Sequence, residues 1–404
     1  PPCGSLRDMV TTFDELIAPI TAEEFFGAYY GQKPLHIPGE ADKFSDVMSW
    51  DSLNQALAIN AFWTKDNLRL FQDIAPVPAE DYCRLVPGLG TRVLQPDPEL
   101  VKSQMSRGAS LVLNSIDTIS PGIQAVAGLL ERTLKGYTQL NLYCSFAGHK
   151  AFDSHFDTHE VFALHTEGEK TWNVYEGRLD NPVHHSTFLD LTTEQHVQNR
   201  RELLMEVHMT PGDLLYIPRG QYHDALASSF ATLHLTFGVI LVRGLDLFEL
   251  MEDEAMADSL FRQDLPRDDA NDGGANLGQR LSDLGDRLKA MVQEPNFLDA
   301  VVQLQNRRQG TRGAYDLPER PAAKEIQLKT EGLRVVRRGD TYFLRSEKAG
   351  IPIPSGAQDL VSWVLEHPKF LDTEVRALFA HLGEERVEEL LAQLQNMDVI
   401  GPAA

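Results

Sequence analysis

Between residues 110 and 239 the sequence falls into short strand-like runs cut apart by glycine and proline turns, and this pattern restricts the fold more than any other feature. Residues 110–114, 138–146, 160–165, 170–175, 203–209, 213–217 and 232–239 each have the length and composition of a strand. Gly148, Gly168, Gly177, Pro211-Gly212 and Gly220 separate many of them. So many short strands leave edges that need covering, and a double-sheet barrel of the jelly-roll or cupin kind covers them. Residues 121–134 read instead as a helix, with Ile123, Val126, Leu129 and Leu130 at helical spacing.

The flanks are organised differently. Thr21-Ala-Glu-Glu24 has the form of a capping box. The helix it opens carries Phe25, Phe26, Tyr29 and Tyr30 and stops at Gly31, ahead of extended Lys33-Pro-Leu-His-Ile-Pro38. His36 reads as a strand residue near the core rather than a ligand. Helical and mixed segments follow to about residue 100, and residues 1–8 read as an extension ahead of a start at Met9. After Arg243 the strand pattern ends. Residues 245–261 are helical, 268–275 form a break rich in turn formers, and 277–308 return to helix with Leu281, Leu284, Leu288 and Met291 on one face. Such a helical pair either dimerises or packs back on its own barrel. From about residue 318, strands at 332–340 and 341–345 and helices at 358–366, 372–380 and 384–398 suggest a winged-helix-like module. Arg334, Arg337, Arg338, Arg345 and Lys348 give it positive charge, while Glu384, Glu385, Glu388 and Glu389 oppose a nucleic-acid face, so scaffolding or partner binding is expected. The expected architecture is α+β: a double-stranded β-helix barrel with its helical lead-in over 9–243, a helical region over 244–316, and the winged-helix-like module over 317–404.

The chemistry rests on His155-Phe156-Asp157 and on His223, which closes the run beginning Pro211-Gly-Asp. On one strand, His155 and Asp157 point the same way because side chains alternate with a period of two. A second imidazole from a distant strand completes two nitrogens and one oxygen, the 2-His-1-carboxylate set of non-haem Fe(II) oxygenases, with open positions opposite. The bland alternative is that His223 is a hydrogen-bonded core histidine. An oxygenase of this kind draws electrons most economically from an oxo-acid, whose far carboxylate needs a buried cation. Lys170 is the leading candidate, unless it is an ordinary solvent-facing strand lysine. Asn141 and Tyr143, two apart, share a face and reach the same pocket as amide donor and phenolic wall.

Composition sets limits on partners. Lysine and arginine number 37 against 59 acidic residues, a net charge of −22, which repels nucleic acid and attracts basic partners. Cys3, Cys83 and Cys144 are scattered and odd in number, so neither a disulfide framework nor a zinc site is expected, and a reducing cytoplasm is. No apolar stretch of about 18 residues suggests a membrane span.

These motifs together resemble the JmjC-type oxygenases, and among them the cupin-4 ribosomal oxygenases that hydroxylate ribosomal-protein side chains. The residues that carry the resemblance are Asn141-Leu-Tyr143, His155-Phe-Asp157, Glu160-Val-Phe162, Glu167-Gly-Glu-Lys170-Thr-Trp172, the run from Pro211 to Gly220, His223 and Leu233-His-Leu-Thr236. The N-terminal lead-in and the order of barrel, helices and winged-helix-like tail agree with it. The resemblance implies iron ligands at His155, Asp157 and His223, 2-oxoglutarate held by Lys170 with help from Asn141, and a substrate-facing Tyr143. It implies hydroxylation of an arginine or histidine side chain in a ribosomal protein, coupled to oxidation of 2-oxoglutarate and supported by ascorbate, in a cytoplasmic homodimer. A methyl-lysine or small-molecule oxygenase, or a non-catalytic metal-binding scaffold, is the alternative. His165 departs from the family's usual glutamine, and Thr232, His234 and Thr236 receive no role.

Overall fold

The computed structural model describes residues 10–403 apart from 60–61, 88–91, 147–152, 230, 268–273, 308–322, 331 and 347–348. Two compact units result, Pro1–Arg312 and Gly313–Ala404. The expected divide at 316/317, the extension over 1–8 with Met9, most of the break at 268–275, and Cys3, Gly148 and Lys348 lie outside the described residues.

The first unit contains β1 (Leu35–Ile37), β2 (Leu68–Gln72), β3 (Ala75–Pro76), β4 (Cys83–Pro87), β5 (Arg92–Pro96), β6 (Ser110–Asn114), β7 (Gly136–Phe146), β8 (Glu160–Glu167), β9 (Lys170–Arg178), β10 (Leu203–Met209), β11 (Leu214–Ile217), β12 (Gln221–Ala227) and β13 (Ala231–Leu241). Eight strands form a large sheet in the order β1-β11-β8-β13-β7-β6-β2-β3, and a small sheet runs β10-β9-β12. Strands adjacent in sequence thus separate onto two sheets: β8 and β9 part company, as do β12 and β13. This is the expected jelly roll. The β8–β9 crossing requires Gly168, which has φ +70° and whose added Cβ would lie 2.1 Å from the Ala231 carbonyl oxygen.

β7 and β13 pair along their whole length, from Gly136 opposite Leu241 to Phe146 opposite Ala231. Alternation gives this pair two unlike faces. Leu140, Leu142, Cys144, Leu233, Leu235, Phe237 and Val239 join Ile123, Val126, Ala127 and Leu130 of the helix Pro121–Leu134 in the main apolar core. Full burial of such side chains contributes roughly 1.5–3 kcal/mol each. Ser120 caps that helix, its Oγ accepting the Ile123 N–H at 3.3 Å, with Pro121 at the first position. Lys135, at φ 56°, ends it in the left-handed region. A second apolar cluster fills the space between the sheets, built from Val161, Ala163, Trp172, Val174, Val207, Met209, Leu215 and Ile217.

Several expectations shift. β12, the strand that carries His223, adds to the expected set, and the helical and mixed lead-in, with helices Phe13–Ile17, Ala22–Ala28, Trp50–Leu57 and Pro98–Met105, also contains strands β2 to β5 besides the expected extended stretch at β1. His36 lies in β1, and its Nε2 is 3.2 Å from the Asp213 carboxylate. The hydroxyl of Thr21 accepts the Glu24 N–H at 3.2 Å, half of the expected box, whereas both halves form at Thr12 and Glu15. Past the barrel, the helices are Leu247–Ala257, Ala275–Val292 and Pro295–Arg307. The break within 277–308 falls at Pro295, which lacks the N–H a continuing helix would need.

The second unit has a three-stranded sheet of Arg334–Arg338, Thr341–Arg345 and Gly350–Pro352, and another of Glu325–Leu328, Lys369–Leu371 and Ile400–Pro402. Helices Gln358–Glu366, Asp372–Leu378 and Glu384–Asn396 bury Leu360, Val364, Val375, Val387, Leu391 and Leu394 together. Among the described residues no helix is long and apolar enough to cross a membrane, and Cys83 and Cys144 are buried free thiols.

Candidate metal centre

His155, Asp157 and His223 come together with their candidate ligand atoms all within 4.8 Å of one another. The segment that carries the first two is not a regular strand: only His155 forms a β-bridge, opposite His223, and the chain bends at Thr158-His159. The bridge is a reciprocal pair, His155 N–H to His223 O at 3.0 Å and His223 N–H to His155 O at 2.8 Å. Gly220 N–H adds a bond to the Asp157 carbonyl at 2.9 Å.

Both imidazoles are turned by the backbone. His155 Nδ1 lies 2.8 Å from the Asp153 carbonyl, and His223 Nδ1 lies 3.0 Å from the Gln221 carbonyl. A proton donated from each Nδ1 leaves each Nε2 lone pair free for a ligand. His223 Nε2 is 3.5 Å from Asp157 Oδ2. Burial and the neighbouring His155 hold the His223 pKa down to about 4, so this imidazole is neutral at physiological pH. Burial pushes Asp157 upward, but the imidazoles of His159, His223 and His155 outweigh it and leave the carboxyl below its usual value. Two imidazole nitrogens and one carboxylate with an open side suit a divalent first-row ion such as Fe(II).

The remaining walls come from both sheets. β7 and β13 contribute Gln139, Asn141, Tyr143, His234 and Thr236; β9 and β12 contribute Lys170, Trp172 and Ala225. Lys170 is only 4% exposed, and no carboxylate within salt-bridge distance of it is present among the described residues. Its ammonium stands 6.0 Å from the centre of the Tyr143 ring, and burial pulls its pKa down to about 7. A carboxylate entering this pocket would relieve that strain directly, so the cation and the metal set fit the two ends of an oxo-acid. Asn141 hydrogen-bonds the Tyr143 phenol, whose pKa burial drives upward.

Three features escaped the sequence. His234, across from Tyr143 in register, stacks on that ring at 4.9 Å with 9° between the planes, and burial keeps it neutral. Alternation in Leu233-His-Leu-Thr236 already placed it on the polar face. His165 continues the row at 6.3 Å from His234, but it is fully buried, with Nε2 2.9 Å from the Gly168 carbonyl, and does not line the pocket. It supports the wall from behind. His159, two residues beyond Asp157, lies in the pocket beside Gly238; a Cβ added at Gly238 would meet its Cε1 at 2.4 Å. Gly238→Ala is therefore expected to cost about 1–3 kcal/mol by overpacking. Pairing it with His159→Ala should remove most of that cost, as non-additivity in urea unfolding would reveal.

A JmjC-domain family model matches residues 123–247, which span the helix Pro121–Leu134 from its third residue through β13. The bifunctional lysine-specific demethylase and histidyl-hydroxylase NO66 of Dictyostelium discoideum is 28% identical over 267 residues, covering 63% of this chain and 48% of that protein. Ribosomal oxygenase 2 of Rattus norvegicus is 27% identical over 238 residues, covering 55% and 46% respectively. The chain thus spans about half the length of these curated relatives. An X-ray structure of E. coli ycfD superposes with a TM-score of 0.51 at 18% identity, covering 95% of this chain and 98% of that one, a likeness of fold. Over residues 123–247, which carry β7 to β13 and the candidate metal ligands, the chain is similar to the JmjC-domain family.

Proposed function

We propose that the chain is an Fe(II)- and 2-oxoglutarate-dependent hydroxylase acting on a histidine or arginine side chain of a ribosomal protein. The observation that carries this reading is a single pocket that holds two imidazoles and a carboxylate in ligating array together with a buried, uncompensated lysine. His155, Asp157 and His223 would hold the iron, and Lys170 would pair with the distal carboxylate of 2-oxoglutarate, with Asn141 and Tyr143 beside it. The iron and the oxo-acid supply the oxidising power for C–H hydroxylation, with succinate and CO₂ as by-products. The protein's own residues do the rest. Trp172, 5.8 Å from the His223 ring, shields the ligand from water, and the protonated Tyr143 phenol orients the incoming side chain.

Asp157 is the only carboxylate among the described residues lining the pocket, and a guanidinium target would want one to itself. Gln139, Asn141 and His159 offer amide and imidazole groups that suit a histidine better. The name of the NO66 relative includes histidyl hydroxylation. That name also includes lysine demethylation, but Tyr143 and Trp172 alone make a poor cage for a methyl-ammonium group. A net charge of −22 suits a basic ribosomal-protein segment as partner. The reading extends to a homodimer formed through the helices after the barrel, where Phe248, Leu281, Leu298 and Val302 are exposed. Buried free thiols fit a cytoplasmic setting.

Purified protein with Fe(II), ascorbate and 2-oxoglutarate should release succinate, and ribosomal-protein peptides should gain one oxygen by mass, mapped to a histidine or arginine. Formaldehyde release from a methyl-lysine peptide would move the reading to demethylation. Metal-loaded protein that releases no succinate would make it a scaffold.

A further inference from the structure

Behind the small sheet, on the face away from the pocket, one buried carboxylate on the strand of His223 takes bonds from the segment that presents His155 and from β9. Asp224 follows His223 on β12, so alternation turns its side chain to the opposite face, where it is 1% exposed. Ser154 precedes His155, and its hydroxyl lies 2.5 Å from Asp224 Oδ2. The Tyr175 hydroxyl donates to the same oxygen at 2.7 Å, and Asn173 Nδ2 donates to Oδ1 at 3.1 Å, both from β9. Arg200, the last residue of the helix Thr193–Arg200, donates to Ser154 Oγ at 3.1 Å and lays its guanidinium 4.7 Å from the Tyr175 ring centre.

We propose that Asp224, through Ser154 and Tyr175, is a positioning group that fixes the separation of the His155 and His223 imidazoles and so sets the metal affinity of the site. The inference rests on the metal reading above. Among the described residues, the segment carrying His155 and Asp157 has no strand ladder of its own; one reciprocal bridge and the Gly220 bond are the backbone ties described between it and the region of β12. A single bridge leaves the segment free to pivot about its own axis, and a pivot of this kind swings the imidazole and the carboxylate together. The Ser154–Asp224 bond lies one residue before the first histidine and one after the second, on the opposite side of the small sheet. With the bridge it makes two points of attachment, which removes the pivot. Asn173 and Tyr175 hold the carboxylate still, and Arg200 holds the serine. Outer groups that orient ligands in this way typically govern metal affinity by 10–100-fold.

The test is Co(II) titration of metal-free protein, followed by its visible d–d absorption, with thermal unfolding of the same samples. Ser154→Ala and Tyr175→Phe should each weaken Co(II) binding by about tenfold or more and alter the d–d band. Ser154→Thr, which keeps the hydroxyl, should restore the wild-type affinity and spectrum. Ser154→Ala combined with Asp224→Asn should weaken binding no further than the more damaging single change, since both cut the same tie. Unchanged affinity and spectrum in Ser154→Ala and Tyr175→Phe would overturn the proposal. So would losses of affinity that follow the melting temperature and are not rescued by threonine. Wild-type protein that fails to bind Co(II) at all would overturn the metal reading itself.

Discussion

Lys170→Met is expected to raise the melting temperature of the ligand-free protein by several degrees while weakening 2-oxoglutarate binding at least about a hundredfold, as is common when a buried charge loses its partner. The two effects have opposite signs because they share one cause. Burial lowers the Lys170 pKa from 10.5 to about 7, which at about 1.36 kcal/mol per unit corresponds to a cost on the order of 5 kcal/mol for keeping the ammonium charged in the empty pocket. Methionine fills nearly the same space without that cost. The pH dependence follows from the same shift. Between pH 7 and 10.5 the unfolded chain binds a proton that the folded one does not, so wild-type stability rises with pH across that window. Below pH 7 both states are protonated and the full cost is carried. The advantage of the methionine variant should therefore be greatest below pH 7 and shrink toward pH 10.5. Ligand binding reverses the shift: at pH 8 the entry of a dicarboxylate should draw in close to one proton, measurable by calorimetry in buffers of differing ionisation enthalpy. Higher apo stability with unchanged 2-oxoglutarate affinity would remove Lys170 from its proposed role.

Asp157→Ala should have the larger effect on the metal. It removes the only oxygen and the only anionic group of the ligand set, leaving two imidazoles that hold a divalent ion poorly. Co(II) affinity should fall well beyond the 10–100-fold expected of an outer positioning group, and succinate release should drop to the buffer blank. Metal-loaded wild-type protein should lose melting temperature when a chelator is added, because the ion binds only the folded state. The variant should be indifferent to the chelator. Together the two substitutions separate the ends of the pocket, since Lys170→Met keeps the ion and loses the oxo-acid.

The sequence disclosed the jelly roll well, because glycine and proline mark where strands must stop. Gly168 and Gly220, both at positive φ, stand at real turns, and β6, β10 and the helix Pro121–Leu134 have their expected bounds. β12 was less legible. It begins directly after Gly220, and Asp224, a charged residue buried on its far face, breaks the alternation that identifies a strand. The three ligand candidates were legible by residue type and spacing, but not the way they are held: strand alternation suggested a ladder where the structure has one bridge and a side-chain tie. The burial of Lys170 was likewise out of reach, since it depends on a facing sheet that the local sequence of β9 does not describe.

The unlike faces of β7 and β13 govern which changes this scaffold can accept. One extra residue within the eleven of β7 would invert every side chain beyond it. Leu140 and Leu142 would be thrust among the polar groups around the ion, and Asn141 and Tyr143 would be pressed against the helix Pro121–Leu134. Swaps of like for like leave such a ribbon intact, whereas a change of length reverses it. Insertions and deletions among relatives of this chain should accordingly gather at the ends of these two strands and spare their middles.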